Sequence, residues 1–150
     1  QVIGVFDASY TELLAYSLKA LGSNRAIVAH AADGMDEISP CSLTRISELK
    51  NGSVKTSEFN PRKYFPDGAN FSELKGGDPS ENAEITRGIL TGKIRSGARD
   101  VCILNAAAGI IVGGGADGFD EAVKKAAESL DSGAAYEKLK ILVDFSNQQK

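Results

Sequence analysis

The sequence predicts an α/β fold, in which helices flank a mixed and largely parallel sheet. Residues 2–6 and 25–30 are short apolar runs with the length and branching typical of buried strands. Between them, leucines recur at a helical spacing, and Gly22 offers an end to the helix. A strand, a helix and a second strand in this order form a β-α-β unit, whose two strands are expected to be parallel and adjacent.

Composition and charge are those of an ordinary globular protein. The 150 residues are 42% hydrophobic and 25% charged, which suffices for one domain with a buried core. The formal net charge of −3 argues against a broad nucleic-acid surface, because such a surface requires clustered lysine and arginine. No apolar run approaches the roughly 18 residues of a membrane-spanning helix, so we expect no membrane partner.

The two cysteines, Cys41 and Cys102, have no metal-ligand spacing and are too few for a disulfide framework. The first residues do not resemble a secretory signal. We therefore expect reduced thiols and a cytoplasmic location. Because the chain opens directly on a strand, we also expect it to be a fragment, and we expect its polar end at Lys150 to fray.

The helix after the first strand is expected to begin at Ser9. Ser9 and Glu12 have the spacing of a capping box, in which each side chain binds a free backbone amide of the first turn. The side chains expected to face the core are Leu14, Leu18 and Leu21.

A hairpin is predicted next. Residues 43–49 and 53–59 alternate polar and apolar side chains, and Asn51-Gly52 between them is the strongest short signal for a two-residue turn. Residues 60–70 contain prolines and a glycine and are expected to form an irregular connection.

A strong helix start lies at Asp78, with Pro79 at the first helical position and Glu81 three residues after the cap. Gly76 and Gly77 before it could cradle a phosphate. However, the Asp78 carboxylate would repel one, so the sequence favours a structural cap. This helix is expected to end near residue 93.

Residues 101–112 are apolar on nearly every side, which is typical of a helix in the middle of a domain. Asn105 is an exception and requires hydrogen-bond partners if it is buried. Residues 113–115 are interpreted as a linker and Asp117 as the cap of the next helix. A last helix from about Ala134 is expected to bury Tyr136, Leu139 and Val143.

The candidate site is a pair of adjacent carboxylates, Asp36 and Glu37, in the loop after the second strand. Ligands of open α/β sheets bind outside the carboxyl ends of the strands. Carboxylate oxygens at this place can bind Mg²⁺, while phosphates complete the coordination of the ion. The alternative is that residues 33–37 form only a solvated turn. For an Asp-Glu pair considered alone, the turn preferences of Asp and Gly favour this alternative. His30 is interpreted either as a packing residue or as a residue that supports the site from behind without touching a ligand.

Several stretches, in order, resemble anthranilate phosphoribosyltransferases. They are Asp-Gly-Met-Asp-Glu-Ile-Ser at residues 33–39, Gly-Gly-Asp at 76–78 with Glu-Asn-Ala at 81–83, Leu-Asn-Ala-Ala-Ala at 104–108, and Asp-Ser-Gly-Ala-Ala at 131–135. The resemblance extends from residue 2 to about residue 145.

The resemblance implies a pentosyltransferase of tryptophan biosynthesis. In that family, the amine of anthranilate displaces pyrophosphate from C1 of phosphoribosyl pyrophosphate (PRPP). Two Mg²⁺ ions accompany the PRPP, and the acidic pair that binds metal falls on Asp36 and Glu37. No catalytic residue is assigned to this chain.

The family also has parts that this sequence lacks: an N-terminal helical domain with the dimer contact, a Gly-Thr-Gly-Gly-Asp loop for PRPP and a Lys-His-Gly-Asn-Arg segment. We therefore expect residues 1–150 to be the C-terminal α/β part of the nucleoside phosphorylase/phosphoribosyltransferase fold, inactive alone, from an enzyme that dimerises through the missing domain.

Two alternatives remain. The first is a non-catalytic paralogue that binds nucleic acid or protein; it should have a basic groove, and the acidic isoelectric point argues against it. The second is a relative of pyrimidine nucleoside phosphorylase, whose reaction needs no pyrophosphate-bound Mg²⁺.

Overall fold

The computed structural model describes residues 1–148, so the fraying expected at Lys150 lies outside the described residues. The elements follow in the order β1 (Val2–Gly4), α1 (Ser9–Ala20), β2 (Arg25–Ala31), β3 (Thr44–Lys50), β4 (Ser53–Phe59), α2 (Pro79–Leu90), α3 (Gly97–Val112), α4 (Phe119–Asp131) and α5 (Ala134–Asn147). Two short 3-10 turns, Pro61–Lys63 and Phe71–Leu74, lie in the irregular connection before α2.

The four strands form one sheet in the order β1-β2-β3-β4. β1 and β2 are parallel, with Val2 opposite Ile27, as the β-α-β unit predicts. The pairings β2–β3 and β3–β4 are antiparallel. The sheet is thus mixed, as predicted, although two of its three described pairings are antiparallel where the sequence predicted mostly parallel ones. The β2–β3 and β3–β4 connections contain no helix. Adjacent parallel strands require a crossover connection, usually a helix, so these strands pair antiparallel.

The predicted hairpin is confirmed. Asn51 has φ 52° and Gly52 has φ 72°, so both turn residues adopt the left-handed conformation of a type I′ turn. This turn matches the twist of the flanking strands and sets the register of β3 on β4, in which Lys50 faces Ser53.

The sheet has a hydrophobic cluster on each face, and β2 contributes to both. Ala26 and Val28 of β2 pack with Ala15 and Leu18 of α1 on one face. The intervening residues of β2 face the other cluster, whose buried members include Ile27, Ala29, Ile38, Ile46, Leu104, Ala107 and Ile111. Because alternate side chains of β2 are buried on opposite faces, β2 is a buried strand of the core, as its apolar run predicts.

The expected capping box at the start of α1 is wrong. Ala8 occupies the N-cap, and no side chain caps the helix there. Asp7 provides the acceptor instead, because its Oδ1 accepts hydrogen bonds from the backbone N of Ser9 (2.8 Å) and from its hydroxyl (2.7 Å). These hydrogen bonds hold the pKa of Asp7 below its usual value. The expected inward position of Leu21 is also wrong, since this side chain is 82% exposed.

The capping box of α2 is confirmed in both halves. Asp78 Oδ1 accepts from the backbone N of Glu81 (2.9 Å), and Glu81 Oε2 accepts from the backbone N of Asp78 (2.8 Å). The backbone N of Gly77 donates to the Asn82 side chain at 2.9 Å. These amides already have partners, which favours the structural cap over a phosphate cradle.

Two expectations for the last helices are wrong. α4 begins after Gly118, and Asp117 lies outside the helix, where its carboxylate pairs with Lys50 (3.4 Å) and Arg25 (3.9 Å). Val143 is 46% exposed, because α5 has its main contacts with α2 and α4 and buries none of its residues completely. None of the helices within residues 1–148 is long and apolar enough to cross a membrane.

Candidate functional site

The candidate site lies on the acidic loop, which we define as residues 32–43 between β2 and β3. The loop starts at the carboxyl end of β2, where the backbone N of Ala31 donates to Met35 O (2.9 Å) and that of Ala32 to Leu43 O (2.8 Å). It therefore leaves the sheet at the edge where the parallel strands β1 and β2 end. Ligands of α/β sheets bind at this edge.

Asp33 is a structural residue of the acidic loop. Its Oδ1 accepts from the backbone N of Met35 at 3.3 Å, and its Oδ2 accepts from the Ser39 hydroxyl at 2.5 Å. Both carboxylate oxygens are thus used within the loop. Gly34 follows with φ 94°, a conformation that favours glycine, and turns the chain toward the acidic pair.

The base of the acidic loop is buried and hydrogen-bonded. Ser39 and Thr44 have no exposed surface. The backbone N of Ser39 donates to Thr44 Oγ1 (3.2 Å), and Ser39 Oγ accepts from the backbone N of Cys41 (2.9 Å). Satisfied polar groups of this kind hold one loop conformation, because breaking them would leave buried groups without partners.

A second anchor comes from α3. Asn105 Oδ1 accepts from the backbone N of Ile38 at 3.0 Å, and Asn105 Nδ2 donates to the backbone O of Ile38 at 3.0 Å. The hydrogen-bond partners predicted for Asn105 are therefore the backbone groups of Ile38, the residue directly after the acidic pair.

Gly4 allows β1 to approach the acidic loop. A Cβ at this position would lie 1.4 Å from the backbone O of Asp36. This contact was not predicted from the sequence, although a glycine inside an apolar strand is a recognised signal of close backbone approach. His30 lies nearby, with its Nδ1 at 2.8 Å from Val5 O, which supports its interpretation as a packing residue.

Asp36 and Glu37 are exposed at the outer end of the acidic loop. Partial burial of Glu37 raises the pKa of its carboxyl, and the negative charges of Asp36 and Asp33 raise that pKa further. A cation would relieve this repulsion. Within residues 1–148, no three His, Cys, Asp or Glu side chains group to enclose a metal. Two carboxylates nevertheless fit Mg²⁺, which usually keeps several waters and takes further oxygen ligands from substrate phosphates.

Comparison with known proteins defines the class. Residues 1–136 match the family described as glycosyl transferase family, a/b domain. Because this match covers most of the chain, the chain belongs to that family.

Its curated relatives include anthranilate phosphoribosyltransferases. The protein of that name from Syntrophobacter fumaroxidans is 48% identical over 99% of this chain. The one from Desulfosudis oleivorans is 45% identical over 97% of this chain. The matches cover 44% and 43% of those proteins, so the chain spans less than half the length of these curated relatives.

Solved structures agree with this assignment. Anthranilate phosphoribosyltransferase from Thermus thermophilus superposes with a TM-score of 0.85 at 33% identity, over 95% of this chain and 41% of that one. The Saccharomyces cerevisiae enzyme in complex with PRPP and Mg has a TM-score of 0.84 at 23% identity, over 95% of this chain and 41% of that one, a likeness that shows the fold alone. The family resemblance found in the sequence is confirmed.

Proposed function

We propose that this chain forms the C-terminal α/β part of an anthranilate phosphoribosyltransferase. The complete enzyme would transfer the phosphoribosyl group of PRPP to the amine of anthranilate and release pyrophosphate. The chain alone would be inactive, because the PRPP loop and the anthranilate contacts would come from the rest of the polypeptide. Its dimer would form through the family's N-terminal helical domain, and its location would be the cytoplasm.

The proposal depends above all on the contrast within the acidic loop. The base of the loop is buried and hydrogen-bonded, yet Asp36 and Glu37 are exposed at its outer end. None of the ion pairs found within residues 1–148 uses either carboxylate. Two adjacent unpaired charges on a rigid support favour a cation over a solvated turn. The relatives are named anthranilate phosphoribosyltransferases, which favours phosphoribosyl transfer over a non-catalytic binding role or nucleoside phosphorolysis.

The role of the acidic pair follows from the charge of the leaving group. Asp36 and Glu37 would hold Mg²⁺, and the bound ion would supply positive charge to neutralise the negative charge that develops on the departing pyrophosphate. The protein fixes the two carboxylates before substrate arrives, through the hydrogen bonds of Asp33 and Ser39 beneath them. Positioning and electrostatic stabilisation would therefore supply most of the rate enhancement from this part of the enzyme.

The test uses the full gene product that carries this sequence, alongside the 150-residue chain. Loss of anthranilate fluorescence is followed with PRPP at increasing Mg²⁺. We expect the full product to consume anthranilate and the chain alone to be inactive. If neither consumes anthranilate, the proposed substrate is wrong.

Substitution of the acidic pair tests the metal role. Asp36→Asn combined with Glu37→Gln should lower activity by about 10²-fold or more, as loss of a charge-stabilising group does, and should raise the Mg²⁺ concentration required for half-maximal rate. The matched control is Asp120→Asn combined with Glu121→Gln, which removes another exposed Asp-Glu pair, on α4. An unchanged Mg²⁺ dependence in the first variant would refute the metal role.

A further inference from the structure

We infer that Asn105 is a positioning residue that holds the acidic pair at the edge of the sheet. This inference rests on the proposed metal role of Asp36 and Glu37. Asn105 reaches the acidic loop from α3, and its side chain bonds there to the backbone of Ile38.

The hydrogen bonds of Asn105 use its whole amide group. Oδ1 accepts from the backbone N of Ile38, while Nδ2 donates to the backbone O of Ile38 and to Val101 O at 2.9 Å. The side chain thus pairs with Ile38 as a neighbouring strand would, through one donor and one acceptor. The bond to Val101 lies within α3 and fixes the orientation of the amide.

The position of Ile38 makes this pairing important for the acidic pair. Ile38 follows Glu37 directly, is completely buried and packs in the same cluster as Leu104. Its backbone groups are therefore shielded from water and depend on Asn105 for their partners. The contact joins positions 67 residues apart, so it transmits the placement of α3 to the loop that carries the two carboxylates.

NMR on the 150-residue chain measures two quantities. The first is the exchange rate of the backbone amides, and the second is the binding of Mn²⁺, a paramagnetic substitute for Mg²⁺. Asn105→Ala removes both bonds to Ile38. We expect the amides of residues 35–38 to exchange about tenfold faster relative to those of β2, as loss of a buried hydrogen bond implies. We expect broadening of the Asp36 and Glu37 signals to require about tenfold more Mn²⁺.

Two further variants separate positioning from general stability. Asn105→Gln keeps the neutral amide but places it one methylene further from the α3 backbone, and it should give intermediate values, which keeps the test usable if Asn105→Ala does not fold. Leu18→Ala is the matched control, because Leu18 is buried in the cluster on the opposite face of the sheet. It should lower the melting temperature but leave loop exchange relative to β2, and the Mn²⁺ titration, unchanged.

If the Asn105 variants change loop exchange and Mn²⁺ binding no more than Leu18→Ala does, Asn105 is only a core residue and the inference is overturned. If the unsubstituted chain shows no Mn²⁺ broadening at Asp36 and Glu37, the two carboxylates bind no cation without PRPP, and the Mg²⁺ dependence of the Asp36→Asn, Glu37→Gln variant decides the metal role. The exchange rates then still decide whether Asn105 orders the loop.

Discussion

Replacement of Gly4 by alanine tests how rigidly β1 supports the acidic loop. The added Cβ would lie 1.4 Å from the backbone O of Asp36 and 2.5 Å from its carbonyl carbon. Ordinary van der Waals contact begins at 3.4 Å. The Asp36 oxygen, at 1.4 Å from the added Cβ, therefore has to move away by about 2 Å together with the loop backbone. Since these nearest atoms belong to the backbone, no side-chain rotation can relieve the overlap.

The cost follows from what this retreat disturbs. Ile38, two residues beyond Asp36, is held by hydrogen bonds of 3.0 Å to Asn105, and a shift of this size would break them. We expect the free energy of unfolding to fall by about 1–3 kcal/mol, from overpacking and the loss of buried hydrogen bonds. In the full gene product, displacement of the acidic pair should lower the rate by about 10²-fold, as a misplacement of 1 Å can.

Urea denaturation followed by circular dichroism measures the stability of the Gly4→Ala chain. The control is Gly109→Ala on α3, where the added Cβ meets no atom within 4 Å and the residue is exposed. That change should stabilise the chain by about 0.5–1 kcal/mol, because alanine loses less backbone entropy in a helix. If Gly4→Ala unfolds at the same urea concentration as the unsubstituted chain and binds Mn²⁺ equally, the loop is not held against β1 as described.

Two further predictions concern single side chains. Asp78→Ala removes the capping box of α2 and should lower the free energy of unfolding by about 1 kcal/mol in urea denaturation, whereas Asp78→Asn should retain most of it; equal losses would contradict the capping role. Hydrogen bonds from Lys63 (2.5 Å) and the Tyr64 hydroxyl (2.6 Å) hold the pKa of Asp120 below its usual value. Asp120 therefore stabilises the fold above its unfolded pKa of about 3.9, and this contribution is lost as the pH falls through its lowered folded pKa. Melting temperatures of Asp120→Asn and the unsubstituted chain should differ at pH 7 and converge at the acid end; a difference that persists there would contradict this.

Elements with a complete local signal could be predicted from the sequence. Asn51-Gly52 specifies its turn through the left-handed conformation of both residues. Asp78 and Glu81 cap α2 through bonds that span three residues. The burial of β2 follows from its continuous apolar run. Each of these features needs only neighbouring residues, so local physical chemistry suffices.

Predictions failed where a local signal had a close competitor. Ser9 has the spacing of a cap, but Asp7, two residues earlier, presents a carboxylate that accepts from both the amide and the hydroxyl of Ser9. Val143 has helical spacing with Leu139, yet burial of that face depends on which elements lie against α5. Spacing predicts which face of a helix is apolar, but it does not establish whether that face is covered.

By itself, the sequence determined the family and the β-α-β unit, and it predicted Asp36 and Glu37 as a metal-binding pair, because these depend on residue identity and short spacing. Only the tertiary structure decided how the carboxylates are supported. The close approach of Gly4 to Asp36 and the bonds between Asn105 and Ile38 join residues far apart in the chain. Such contacts form when the strands and helices pack around a common core. Local sequence patterns do not predict which distant residue will contact a given position.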